Sequence, residues 1–167
     1  MASDVDLRAV QEPLKQSYRE HPESSLITLT ARGATGDTPI ACSVDLGRTI
    51  YDAEAHPGVG GAGTAACSGD LLLGALAACA QLTCQMVAAS MEIALESVEV
   101  TVEGDLDLAG TLGIDREAPV GFTDIRVSFA IDAPGATGEQ LAALRRKTER
   151  YCVVLQTLRN PPRVEAR

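Results

Sequence analysis

The stretch GALAACAQLTC, Gly74 to Cys84, places two thiols five positions apart inside a run with no charged residue from Leu71 to Met91. How that run folds decides the rest of the chain. About 20 apolar residues suffice to cross a bilayer. This run, however, carries Gln81, Thr83, Gln85 and Ser90, is rich in alanine, and has no lysine or arginine close by to anchor it. An apolar helix without a polar face is also what fills the centre of a protein or of a dimer. The pattern therefore predicts a central helix from Asp70 to about Met91, not a membrane span. On it Cys79 and Cys84 point about 140° apart, face different neighbours and cannot easily bridge one another.

The flanks agree with a central helix. HPGVGGAGTAACSG before it is a loop, with Pro57 and five glycines between Gly58 and Gly69. After it, SVEVTVEGDLDL alternates, with Val98, Val100 and Val102 on one face and Glu99, Thr101 and Glu103 on the other, as in a half-buried strand. TDIRVSFAID repeats the pattern through Ile125, Val127, Phe129 and Ile131, and GTLGIDREAPVG between them reads as a loop or broken strand. TGEQLAALRRKTERYCVVLQTLRN reads as helix, with Thr137 as N-cap, a break or bend near Tyr151 and a stop at NPP. Upstream, VDLRAVQEPLKQSYRE predicts a modest helix interrupted near Pro13 and ending at HPESS. SLITLTARG and TPIACSVDLGRTIYDAE predict an antiparallel hairpin turning near GATGD. Helix, hairpin, long helix, strands and helices in that order imply one α+β domain over residues 1–167, with 1–22 as a helical extension.

Composition bounds the function. Apolar residues are 46% of the chain but aromatics only 3%, so the core is built mostly from Ala, Val, Leu and Ile. A net charge of −9 and the absence of a Lys/Arg run argue against a nucleic-acid partner. MASDVDLRAV has no apolar leader pattern, so the expected location is cytoplasmic, where cysteines stay reduced unless they are redox-active. The five cysteines, at 42, 67, 79, 84 and 152, are then buried hydrophobes, metal ligands or redox thiols. GVGGAG, Gly58–Gly63, fits a dinucleotide fingerprint but lacks the strand before it and the helix directly after it. The only histidines are His21 and His56, no C-x-x-C occurs, and the cysteine spacings are not zinc-like. No cofactor and no metal is expected, and His56 reads as a loop residue. Cys152 lies where a helix restarts, a position that lowers a thiol pKa. It would give a sulfenic acid on another thiol a partner for a disulfide.

SGDLLLGALAACAQLTCQMVAA resembles the central helix of the OsmC/Ohr family, the osmotically inducible and organic hydroperoxide resistance proteins. Leu72 to Cys79 match its LL-x-A-x-AAC pattern, VEVTVEGDLDL looks like the strand that follows, and YCVVLQTL is similar to its C-P-V-x-x-T-L motif. The resemblance implies an OsmC-like fold, with antiparallel sheets packed around long central helices in an intertwined homodimer. It also implies a thiol peroxidase acting on organic hydroperoxides. Cys79 takes the peroxidatic place, Cys152 the resolving place, and a dithiol reductant restores both. Departures mark a divergent branch. An ungapped match puts Gly69 where the family's peroxidases place a Glu that pairs with an Arg. Asp70, next to it, either stands in at shorter reach or only favours the helix N-terminus electrostatically. Arg32 is the arginine best placed by the hairpin and Arg48 the second choice; a solvated turn residue is the alternative for each. Val153 replaces the usual Pro, and Cys67 and Cys84 are additional. Two other readings stay open: a non-catalytic dimer binding a small apolar ligand in the inter-subunit cavity, and a thiol site centred on Cys67.

Overall fold

The computed structural model describes residues 7–21, 26, 28, 32–35, 41–45 and 50–166. Helix α1, Leu7–Glu20, runs through Pro13 without the expected interruption. Strands β1 (Arg32–Thr35), β2 (Ala41–Asp45) and β3 (Ile50–Glu54) form an antiparallel sheet in that order. Arg32 pairs with Asp45, Thr35 with Cys42 and Ala41 with Glu54. The hairpin is as expected, but Gly33, Ala34 and Thr35 belong to β1 and not to its turn. That turn, Arg48 and most of the SLITL segment lie outside the described residues.

The Gly-rich segment after β3 is a loop tied back onto that strand. The Glu54 carboxylate accepts from the Ala65 N–H at 2.9 Å and from Thr64, and the Glu54 N–H reaches the Ala66 carbonyl at 3.1 Å. These bonds deliver the chain to helix α2, Ser68–Ser90. Its start is closed by the Cys67 N–H donating to Asp70 Oδ2 at 2.9 Å, satisfying one of the amides a helix start leaves free.

Strand β4 (Ser97–Leu106), short helix α3 (Leu108–Thr111) and strand β5 (Phe122–Asp132) follow. The segment read as loop or broken strand is thus a loop entered just after a helical turn. β4 and β5 are antiparallel, with Val98 opposite Ile131, Val100 opposite Phe129 and Val102 opposite Val127. This register puts these six apolar positions on one face. On the other face Arg126 is held by Asp105, by Asp124 at 2.8 Å and by Glu103 at 3.7 Å.

The apolar face of β4–β5 packs on α2, and helices α4 (Gly138–Tyr151) and α5 (Val153–Arg159) cover another side of it. Thr137 caps α4: its Oγ1 accepts from Gln140 N at 3.2 Å while its N–H donates to Gln140 Oε1 at 2.8 Å. Two clusters form the core. One gathers Cys84, Ala88, Ile93, Ala133 and Leu144; the other gathers Leu76, Ala80, Cys152 and Leu155. Small residues on α2 let these elements approach closely. The helix is long and apolar enough to cross a membrane. Its Leu76, Ala80, Thr83, Cys84 and Ala88 are instead buried against the sheet and α4–α5. The side bearing Leu72, Leu82 and Met86 stays exposed.

Candidate functional site: a dithiol at the α2–α5 seam

Cys79 lies near the middle of α2 and is half-buried. The apolar spacing of α4 sets its partner. Leu144, Thr148 and Cys152 recur every four residues, so all three point at α2, and all are fully buried. Cys152 has an extended backbone, φ −69° and ψ 105°. It ends α4 by donating its N–H to the Thr148 carbonyl at 2.9 Å, and α5 starts at the next residue. The first amides of α5 therefore have no helical acceptor.

Those amides meet the two sulfurs. Burial resists charge on Cys79, yet its thiol is drawn below the ordinary value. The Val154 N–H does most of this, followed by the Cys152 thiol, the Thr83 hydroxyl and the Val153 N–H, all donating to the sulfur. Burial pushes the Cys152 thiol up, and its bond to Cys79 and that residue's charge push the same way, against the Leu155 and Val154 amides. The pair is thus asymmetric: Cys79 ionises and Cys152 keeps its proton. A helix start was expected to activate Cys152; it serves Cys79 instead, because Cys152 is the more deeply buried of the two and faces the other's charge.

The remaining cysteines have other surroundings. Cys84 belongs to the other core cluster, beside Thr148, and burial pushes its thiol up. Cys67 caps α2 and lines a cavity of about 440 Å³ with His56, Asp70 and Phe122. His56 Nδ1 accepts the Gly58 N–H at 3.0 Å, a loop role.

Asp70 lies nine residues before Cys79, or about 13 Å along the helix axis. Its carboxylate is held below the usual range by the Cys67 N–H, then the Cys67 thiol, with a further pull from His56. It closes the helix start, and among the described residues its carboxylate bonds to Cys67, not to Cys79 or Cys152. Gly69 has no room to spare either: a Cβ there would stand 3.3 Å from Phe122 Cζ and 3.5 Å from Cys67 Sγ. Arg32 occupies the first position of β1. Two contributors went unread in the sequence. Thr83 lies one helical turn from Cys79, a spacing visible in the chain. Val153, where the resemblance has Pro, restores an N–H that Pro lacks.

Beside the thiols, an apolar groove of about 560 Å³ runs between β5 and α5. Ile125, Val127, Phe129 and Leu155 line it and also pack in the Cys152 cluster. The Glu149–Arg159 ion pair, at 3.0 Å, borders it.

Fold and site together define an α+β protein with a dithiol built into the seam of its central helix. The chain belongs to the OsmC-like protein family, whose model matches residues 61–167. Its fold is similar to that of an OsmC-like protein from Mycoplasma pneumoniae, at 16% identity and TM-score 0.68, covering 81% of this chain and 89% of that one. It is also similar to an organic hydroperoxide resistance protein from Elizabethkingia anophelis, at 22% identity and TM-score 0.60, covering 81% and 91%. An organic hydroperoxide resistance protein OsmC from Legionella pneumophila gives 23% identity and TM-score 0.57, with the same coverage. No curated protein matches the sequence.

Proposed function

We propose that this protein is a thiol-dependent peroxidase that reduces organic hydroperoxides through Cys79 and Cys152. One observation carries the reading: the Cys79 sulfur is half-buried, meets two backbone amides and has the Cys152 thiol donating to it. In the first step the Cys79 thiolate attacks the terminal peroxide oxygen. The O–O bond breaks, Cys79 becomes a sulfenic acid, and the alkoxide leaves and takes a proton to give the alcohol. In the second, the Cys152 sulfur attacks Cys79, forming the disulfide and releasing water. A dithiol reductant then returns two electrons and two protons by thiol–disulfide exchange. The apolar groove beside Leu155 suits an apolar substituent on the peroxide.

The reading extends to a single domain over residues 1–167, a cytoplasmic location and a homodimer. Support for the dimer comes from the exposed α2 stripe of Leu72, Leu82 and Met86, with Tyr51 on β3 exposed as well. Apolar patches of this kind mark contact surfaces. The test adds cumene hydroperoxide to the reduced protein and maps disulfides by mass spectrometry. Stoichiometric peroxide loss with a Cys79–Cys152 disulfide is expected; unchanged peroxide with Cys79 still a free thiol would sink the reading.

A further inference from the structure

Away from the two thiols, we propose that the cavity at the start of α2 is a second ligand site: it takes a neutral, apolar α,β-unsaturated carbonyl compound and binds it by adding the Cys67 sulfur to its double bond.

The cavity, of about 440 Å³, has two kinds of wall. One is apolar, made of Val59, Leu73, Leu106, Leu108 and Phe122; the other carries Cys67, His56 and Asp70. Cys67 is a free, half-buried thiol, whereas His56 and Asp70 are exposed, so the polar wall meets solvent. Cys67 precedes Cys79 by twelve residues, about 18 Å along the helix axis, which sets this space apart from the dithiol. Two glycines shape it. A Cβ at Gly69 would stand 3.5 Å from Cys67 Sγ and 3.3 Å from Phe122 Cζ, so the sulfur and the ring edge border one small space. A Cβ at Gly58 would collide with Leu108 Cδ1 and stand 3.1 Å from His56 Nδ1, so its absence lets α3 close against the His56 loop.

These walls name the ligand. Glu54 and Asp70 put two carboxylates in the lining, which disfavours an anion. Both already accept a backbone N–H, Glu54 from Ala65 and Asp70 from Cys67, and the apolar wall offers a cation nothing. A metal is not the occupant: among the described residues no three His, Cys, Asp or Glu side chains are grouped to hold one. The apolar side chains suit a hydrocarbon body. His56 Nδ1 accepts the Gly58 N–H at 3.0 Å, so the neutral ring carries its proton on Nε2, as a donor for a carbonyl oxygen. A soft nucleophile and a carbonyl donor in one apolar space fit a conjugated carbonyl. In the step itself the S–H bond gives up its proton and the sulfur bonds to the β-carbon. The π pair of the C=C bond moves through the carbonyl to leave an enolate, whose oxygen accepts from His56. A proton returned to the α-carbon completes a saturated thioether. No group leaves, and no oxidant or reductant takes part.

The experiment treats the reduced, full-length protein with trans-2-nonenal or with crotonaldehyde, which share the reacting group and differ in tail length. Adducts are fixed with borohydride and followed at each cysteine by peptide mass spectrometry, with N-acetylcysteine as the reference for intrinsic reactivity. Cys67 should prefer nonenal by about tenfold or more over that reference, because burying two methylenes of the tail yields that much. Leu108→Gln and Val59→Gln should each cut the preference about threefold or more, with thermal melts confirming folding. His56→Phe keeps a ring, removes the donor and should slow both aldehydes about three- to tenfold. A nonenal-to-crotonaldehyde ratio at Cys67 equal to that of N-acetylcysteine would overturn the proposal, as would a preference confined to Cys79. Unchanged rates in His56→Phe would remove the carbonyl contact and overturn the ligand class. These rates involve no peroxide, so their outcome is independent of the peroxidase reading.

Discussion

The carbonyl of Cys152 accepts the N–H of Gln156 at 2.9 Å, so helix α5 begins at the residue after the buried thiol. A single extended residue between two helices is what frees the amides of Val153 and Val154 for the Cys79 sulfur.

Val153→Pro tests that arrangement with little risk to the fold. Proline is favoured at the first position of a helix, and Cys152 already has the extended backbone that a following proline requires. The substitution deletes one donor. We expect the Cys79 alkylation midpoint to rise and the rate below it to fall about two- to fivefold, with Val154 still in place. An unmoved midpoint would show that the Val153 amide does not serve the sulfur.

The direction of the two thiol shifts fixes the pH dependence. Cys79 ionises below its ordinary value, and the thiolate is the reactive form. Peroxide consumption should therefore rise with pH and level off below about 8.5, the midpoint of a free cysteine. Below that plateau, each pH unit should cost about tenfold. In Cys152→Ser the first turnover should survive, leaving a sulfenic acid on Cys79 that dimedone traps. Cys79→Ser should abolish consumption altogether. A Cys79→Ser protein that still consumes peroxide would move the chemistry elsewhere, with Cys67 the first place to look.

Gly104 is a packing requirement. A Cβ there would stand 2.7 Å from the Phe122 ring. Gly104→Ala should lower stability by about 1–3 kcal/mol, read from urea or thermal unfolding, because the same Cβ would also stand 3.2 Å from Leu73 Cδ2. Gly113→Ala is not a matched control, since that residue has a φ of +68°.

The loop before α2 should loosen in acid. The Ala65 N–H, opposed by partial burial and aided by Thr64, holds the Glu54 carboxylate below its ordinary value. A depressed carboxylate supports the fold above its unfolded pKa, and that support is lost as pH falls through the folded value. Hydrogen exchange at Thr64 and Ala65 should accelerate below about pH 4.5, and in Glu54→Ala it should be fast at every pH. Equal protection in parent and variant would refute the tie.

The exposed stripe on α2 predicts self-association. Leu82 and Met86 are 58% and 41% exposed on an otherwise apolar helix. Light scattering should give twice the chain mass, and Leu82→Lys together with Met86→Lys should give one chain mass with the α4–α5 core intact. A monomeric parent would remove the dimer from the reading.

Much of this was legible because period and burial coincide. The alternation of Val98, Val100 and Val102 against Glu99, Thr101 and Glu103 can satisfy only a strand with one face covered, and β4 is that strand. Thr137 announced the start of α4, and the break expected near Tyr151 falls at Cys152. The miss at Pro13 has a local reason. A proline removes one helical hydrogen bond, a cost that α1 absorbs with Pro13 exposed to water. The turn expected near GATGD starts later than Gly33, because glycine permits a turn without demanding one, and pairing with β2 claims Gly33, Ala34 and Thr35. The site was half legible. Two cysteines in order named the thiols, but which one ionises depends on depth of burial and on where backbone amides point. Neither leaves a trace in residue identity. Asp70 shows the converse: its type suited the site, and its place on the helix puts its carboxylate on the Cys67 N–H.

The one-residue joint at Cys152 has a mechanical side. The amides of Val153 and Val154 have an anion to grip only while Cys79 carries its charge. In the proposed disulfide that anion would be gone, and the opening turn of α5 would hold amides whose acceptor has been neutralised. On the proposed cycle, the stiffness of α5 would become a gauge of how many electrons the site holds, readable without touching either sulfur.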